Sequence, residues 1–171
     1  MAGLKLEIVQ EPPFSSVEEE AFLNLLRTAD CLQRAFHLHT REWGLTSTQY
    51  NVLRILRGAQ PHGLTCSAIG SRMIAAEPDI TRLLARLKAL KLVRQRRDSH
   101  DRRVVWTVIS EPGLDLLHRM DPAIRNLPAK LLGHLDRAKL VAFVRLLELA
   151  RKPIQDALTP LSSTAAGAAE R

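Results

Sequence analysis

Aromatic residues make up only 4% of this 171-residue chain, too few for the stack of rings that single-stranded nucleic acid requires. Cysteine is scarcer still: Cys31 and Cys66 lie far apart without metal-ligand spacing, which excludes a disulfide framework and a zinc site. Two reduced, mostly buried thiols are the expectation. His37 and His39, two residues apart, point to different faces of a helix and do not form a zinc pair. No apolar run approaches the roughly 18 residues of a membrane span, and the start MAGLKLEIVQ lacks the apolar centre of a secretory signal, so no membrane is expected and the expected location is the cytoplasm. The sequence also has no Gly-rich phosphate loop, no nucleophile and base at motif spacing and no prominent carboxylate pair. These gaps argue against an enzyme, and no cofactor is expected.

Charge is present in quantity, and it is concentrated. The 22 residues from Arg82 to Arg103 (RLLARLKALKLVRQRRDSHDRR) contain nine Lys and Arg against two acids, Asp98 and Asp101, a local balance of +7 that equals the net charge of the whole chain. A positive field confined to one stretch calls for a polyanion, and the lack of stacking rings makes duplex DNA the better one. The stretch begins as an amphipathic helix ending near Leu90, continues through Leu92-Val93 into a charged turn, and is followed by the alternating run Val104 to Ile109.

The rest of the chain reads as support for that stretch. Residues 1–14 suit an extended, packed apolar arm. Ser16 with Glu19 and Thr46 with Gln49 have capping-box spacing and start two helices, the first to about Thr40 and closed by Gly44, the second ending at Gly58. Thr65 caps a short helix through Cys66, Ile69 and Met73, with Gly70 allowing close packing. Glu77-Pro78-Asp79 starts the next with Pro in the first position, and that helix buries Ile80, Leu83, Leu84, Leu87 and Leu90 while leaving Asp79, Thr81, Arg82, Arg86 and Lys88 on its polar side. Two short helices in tandem, the second basic, form a helix-turn-helix, and the strand pair after it is a wing. Ser110-Glu111-Pro112 starts a helix that Pro122 and Pro128 should kink or restart. Asp136 caps a last helix whose apolar positions, Leu140, Val141, Phe143, Val144, Leu146 and Leu147, form a face wider than one small domain needs. Residues 153–171 read as a weakly held tail.

The segments TSTQYNVLRIL, LTCSAIGSRM and ITRLLARLKALKLVRQRRDSHDRRVVWTVISEPG resemble the multiple-antibiotic-resistance regulator (MarR) family of winged-helix transcription factors, the likeness running from about Leu25 to Arg151. The chain departs from the family pattern at Lys91, where a Gly is usual, so either Lys91 takes the left-handed conformation at some cost or the helix ends differently. The fold so implied is mainly α (α+β): one MarR-like domain over 1–171, with a winged helix-turn-helix lobe at 46–110 and dimerisation helices at 1–40 and 111–152. The function so implied is a ligand-responsive repressor that binds a palindromic double-stranded operator as a homodimer.

For the DNA-contacting residues, Asp79, Thr81, Arg82 and Arg86 on the recognition helix and Arg96, Arg97, Arg102 and Arg103 on the wing are the expectation from their chemistry. Resemblance adds Arg103 as the groove reader, Lys91, Arg94 and Arg96 over phosphates, and a pair of Arg86 with Asp101 that supports the wing. Family members often bind small aromatic or anionic effectors, and His37, Arg41, Trp43 and Tyr50 are the candidates for such a pocket. Two alternatives stand beside this reading: a winged helix used as a protein interaction module, and redox sensing through Cys31, which lies about two turns later in the first helix than the cysteine of peroxide-sensing relatives.

Overall fold

The computed structural model describes residues 3–168, with side chains described to residue 157. The chain divides into two compact units, one up to Leu127 and one from Pro128 onward.

In the first unit the amino-terminal arm is not extended: α1 (Leu4–Glu7) is a single helical turn that buries Leu4 and leaves Leu6, Ile8 and Val9 exposed. A salt bridge of 3.7 Å joins Glu7 to Arg27 of α2 (Val17–Arg41). The Ser16 hydroxyl accepts from Glu19 N as expected, but the Glu19 carboxylate returns to the N–H and hydroxyl of Ser15, both at 2.6 Å, so the box closes one residue early. After Arg41 the chain turns on Gly44 at φ +73°, and Leu45 N reaches back to Thr40 O. This is the left-handed stop that Gly takes without a Cβ clash. The capping box of Thr46 and Gln49 is complete, at 3.1 and 2.9 Å, and fixes the start of α3 (Ser47–Arg57). Tyr50, Val52, Leu53 and Leu56 of α3 are buried in a core shared with Ile69, Leu84, Leu87, Val93, Ile109, Leu117 and Met120.

A strand not anticipated from sequence, β1 (Leu64–Thr65), leads into α4 (Cys66–Gly70), which Thr65 caps and which ends before Met73. There follow α5 (Ile80–Ala89), β2 (Val93–Arg97), β3 (Val105–Ile109) and α6 (Glu111–Leu132). The sheet is antiparallel in the order β1-β3-β2. Of the two outcomes expected at Pro122 and Pro128, a restart does not occur: α6 is assigned as one helix from Glu111 to Leu132. Each proline removes one main-chain bond, and the buried row Leu116, Leu117, Met120, Ile124 and Leu127 keeps its helical spacing across Pro122.

In the second unit Asp136 accepts from Lys139 N at 2.9 Å and starts α7 (Arg137–Ala168). The helix passes through Pro153 without giving way to a tail, and the expectation for 169–171 lies outside the described residues. None of the described side chains of α7 is buried, and Val141, Val144, Leu146 and Leu149 are between 45% and 71% exposed.

Candidate nucleic-acid interface

Asp79 sets the start of α5: its Oδ1 accepts from Arg82 N at 2.9 Å, so the helix begins at Ile80 and Pro78 stands before the cap rather than in the first turn. Its carboxylate thus positions the helix. Leu83, Leu84 and Leu87 anchor α5 in the core, while Thr81, Arg82, Ala85, Arg86 and Lys88 are all exposed on the other side. Leu90 does not join the buried row. It is the C-cap, where the helix is already ending, and is 51% exposed.

At Lys91 the backbone is left-handed, φ +60°, and Leu92 N bonds back to Leu87 O. The chain makes the stop that a glycine would make, with a lysine in it. Ser110 Oγ donates to Lys91 O at 2.7 Å and helps hold the turn. Lys91→Gly should therefore raise stability by about 0.5–1 kcal/mol, the left-handed cost less the entropy of a freer unfolded chain. Thermal melts should show a gain of a few degrees, about 2–4 °C per kcal/mol at this size.

The pleat of the β2–β3 hairpin sorts the wing arginines. Arg94 and Arg96 lie opposite Val108 and Trp106 on one face, whereas Gln95 and Arg97 lie opposite Thr107 and Val105 on the other. Arg96 is held over the Trp106 ring, 5.8 Å from its centroid. Arg102 and Arg103 are exposed in the turn, and Arg103 lines the cleft that faces α5.

Among the described residues no ion pair joins Arg86 to Asp101. The Asp101 carboxylate serves the turn's own main chain, accepting from Arg103 N at 2.9 Å. The wing is held instead by Asp98, whose role sequence reasoning missed. Its Oδ1 accepts from His100 N at 2.8 Å and Asp101 N at 3.2 Å, and its Oδ2 accepts from Trp106 Nε1 at 2.8 Å. An Asp two residues before a main-chain turn is a local signal for this arrangement. The His100 main-chain bond first, then Trp106 and Asp101, hold the Asp98 carboxyl below its ordinary range. A depressed folded pKa gives a contribution that is complete above the unfolded value, about pH 4, and is lost as pH falls through the folded pKa. Asp98→Ala should leave the melting temperature almost unchanged, because the turn is exposed, yet weaken duplex binding several-fold at neutral pH. Equal binding by the variant would show that the turn needs no such clasp.

The effector candidates are divided by the fold. Tyr50 is 3% exposed, edge-on to Phe36 at 5.5 Å, and burial pushes its phenol above the ordinary value. Trp43 packs against the core beneath Arg119, whose guanidinium carbon is 5.9 Å from a ring centroid, whereas His37 and Arg41 are exposed. The thiols also differ from expectation: Cys31 is exposed on α2 and Cys66 is half-buried. Among the described residues no group of three or more His, Cys, Asp or Glu could hold a metal, and no helix is long and apolar enough to cross a membrane.

The family model described as the MarR family matches residues 43–104, which take in α3 through the wing turn. The chain is 32% identical over 106 residues to the HTH-type transcriptional regulator TtmR of Methylorubrum extorquens (strain PA1), a match covering 62% of this chain and about half, 53%, of that protein. A solved MarR transcription factor from Planctomyces limnophilus shares 37% identity at a TM-score of 0.63 over 80% of this chain and 99% of its own. BpsR of Bordetella bronchiseptica, whose DNA binding is regulated by 6-hydroxynicotinic acid, shares 26% identity at a TM-score of 0.70 over 82% of this chain and 98% of its own.

Proposed function

The chain belongs to the MarR family of DNA-binding transcriptional regulators, and from that premise we propose that it is a ligand-responsive repressor that binds a palindromic operator as a homodimer in the cytoplasm. The observation that carries the DNA-binding reading is the exposed face of Thr81, Arg82, Arg86 and Lys88 followed directly by the wing arginines, in the stretch that holds the chain's net charge. Thr81, Arg82 and Arg86 read base edges in the major groove, and Arg103 reads the minor groove. Lys91, Arg94, Arg96, Arg97 and Arg102 answer phosphates. Two-fold symmetry would set two such surfaces on successive turns of a palindrome.

Support for the dimer is the apolar surface left on each unit taken separately. On α2, Phe22, Leu25 and Leu26 are 60%, 40% and 52% exposed, and on α7 Val144 and Leu149 are 52% and 71% exposed. Exposed apolar side chains at helical spacing, such as Phe22, Leu25 and Leu26, are the pattern of a face that meets a partner. Residues 1–40 and 111–152 supply that face, and an effector of aromatic or anionic character would act near Trp43 and Tyr50, as regulation of BpsR by 6-hydroxynicotinic acid suggests by analogy. The test is sedimentation of the full chain at micromolar concentration beside Val144→Asp, with binding to duplexes enriched from a random pool. The native chain should sediment as a dimer and bind. The variant should become monomeric, with its helical content largely kept and its affinity for two-fold sites lost. A native chain that stays monomeric would overturn the dimer, and failure to enrich any duplex would overturn the repressor.

A further inference from the structure

A cleft of about 750 Å³ opens between α4, α5 and the β2–β3 hairpin, lined by Cys66, Ile80, Thr81, Leu84, Val105 and Thr107 among others. Three features of it are left over from the DNA-binding reading. Cys66 lines it as a half-buried thiol, its Sγ 3.9 Å from Thr81 Oγ1 on the recognition helix. Ile80, Leu84 and Val105 make much of its wall apolar. Thr107, on its lining and only 1% exposed, has a buried hydroxyl with no hydrogen-bond partner among the described residues. A buried hydroxyl without a partner costs free energy of the order of a lost hydrogen bond, and a ligand that supplies an acceptor recovers it.

A nucleophile, an apolar wall and an unsatisfied hydroxyl donor together fit one chemical class. We infer that this cleft captures small, apolar α,β-unsaturated carbonyl compounds, that Cys66 adds to them, and that the adduct shuts off the recognition surface. In the addition the thiolate sulfur bonds to the β-carbon, and the C=C π pair moves to the α-carbon. The α-carbon takes up the proton that the thiol gave up, so that a thioether forms with no leaving group and no oxidant. Thr107 Oγ1 donates to the carbonyl oxygen, which gathers charge during the addition. The adduct lies beside Thr81 and between α5 and Arg103, so DNA and adduct compete for the same side of the molecule. This last step rests on the DNA-binding reading, whereas capture does not.

The test uses the full chain with Cys31→Ser, which leaves Cys66 as the one thiol, and N-ethylmaleimide as the probe. Labelling followed by intact mass should saturate with maleimide concentration, since capture precedes addition. Val105→Trp, at a position 37% exposed where an indole can crowd the mouth, should slow it by an order of magnitude. Thr107→Val, which keeps the shape and removes the donor, should slow the addition step severalfold with saturation kept. Cys31 in a Cys66→Ser chain is the comparator and should label without saturation. Duplexes enriched on the unlabelled chain should protect Cys66, and the labelled chain should bind them at least an order of magnitude more weakly. Non-saturating labelling that is indifferent to Val105→Trp and Thr107→Val overturns the site whatever the DNA result. Saturable labelling that leaves duplex affinity within twofold overturns the switch. A chain that enriches no duplex overturns the DNA-binding reading and the switch with it, and the maleimide kinetics still decide the site.

Discussion

Replacing Gly113 with alanine should lower the melting temperature by roughly 6–12 °C, the equivalent of about 3 kcal/mol at this chain length. A Cβ at Gly113 would stand 2.3 Å from Leu92 O and 2.9 Å from Ile109 Cγ1, and no side-chain rotation relieves the first contact because its partner is main chain. The surroundings are also knotted together. Leu92 O accepts from Ser110 N at 3.0 Å, and the Ser110 hydroxyl accepts from Gly113 N while donating to Lys91 O. Moving the start of α6 to fit one methyl group therefore pulls on the turn at Lys91 and on the β2 strand after it. Thermal and urea melts of Gly113→Ala beside the parent decide the matter. A shift under about 2 °C would mean that the start of α6 yields freely.

Changing Arg103 to alanine should weaken binding to enriched duplexes by roughly 1–3 kcal/mol, with the largest loss where A·T pairs lie under the wing. Its N–H is fixed by Asp101 and its side chain lines the cleft facing α5, the side on which the recognition residues stand. Arg94→Ala should act differently. Arg94 lies on the other face of the hairpin with Val108, and its loss should weaken all sequences alike and reduce the salt slope by about one unit. Arg82→Ala should cost roughly 1–3 kcal/mol and relax preference at one symmetric pair of positions. Titrations of each variant on enriched and scrambled duplexes at several salt concentrations separate these cases. Identical behaviour of Arg103→Ala and Arg94→Ala on every duplex would reduce the wing to an electrostatic clamp.

Local signals carried much of the fold. The Thr46 and Gln49 box, the Asp136 cap, Gly44 as a stop and the buried row Leu83, Leu84 and Leu87 each depend on residues within one or two turns, and all were legible. The left-handed turn at Lys91 was legible as one of two options, because the helix had to stop there and no glycine was at hand. What sequence could not supply depended on partners far along the chain. β1 is two residues long, too short for any periodicity, and exists only because Leu64 and Thr65 meet Thr107 and Trp106 of β3. The continuity of α6 through its prolines depends on the buried face beneath it. In the candidate site, the basic and exposed character of the residues was evident, but their sorting onto two faces of the hairpin came from a register that no local pattern sets. The expected Arg86–Asp101 ion pair does not form among the described residues, and Asp101 supports the turn through its main chain, accepting from Arg103 N. Asp98, not Asp101, reaches across eight residues to the Trp106 indole.

That bond also gives the wing an optical reporter of its own. The chain has two tryptophans, and they sit in different parts of the first unit: Trp43 packs against the core, and Trp106 is in the hairpin with its indole N–H on a carboxylate and a guanidinium over its ring. With Trp43→Phe, tryptophan emission would come from the wing alone. Release of Asp98 or displacement of Arg96 by a phosphate would each alter its quenching. The moment at which the wing engages a duplex could then be timed by stopped flow, separately from the docking of the recognition helix and without an attached dye.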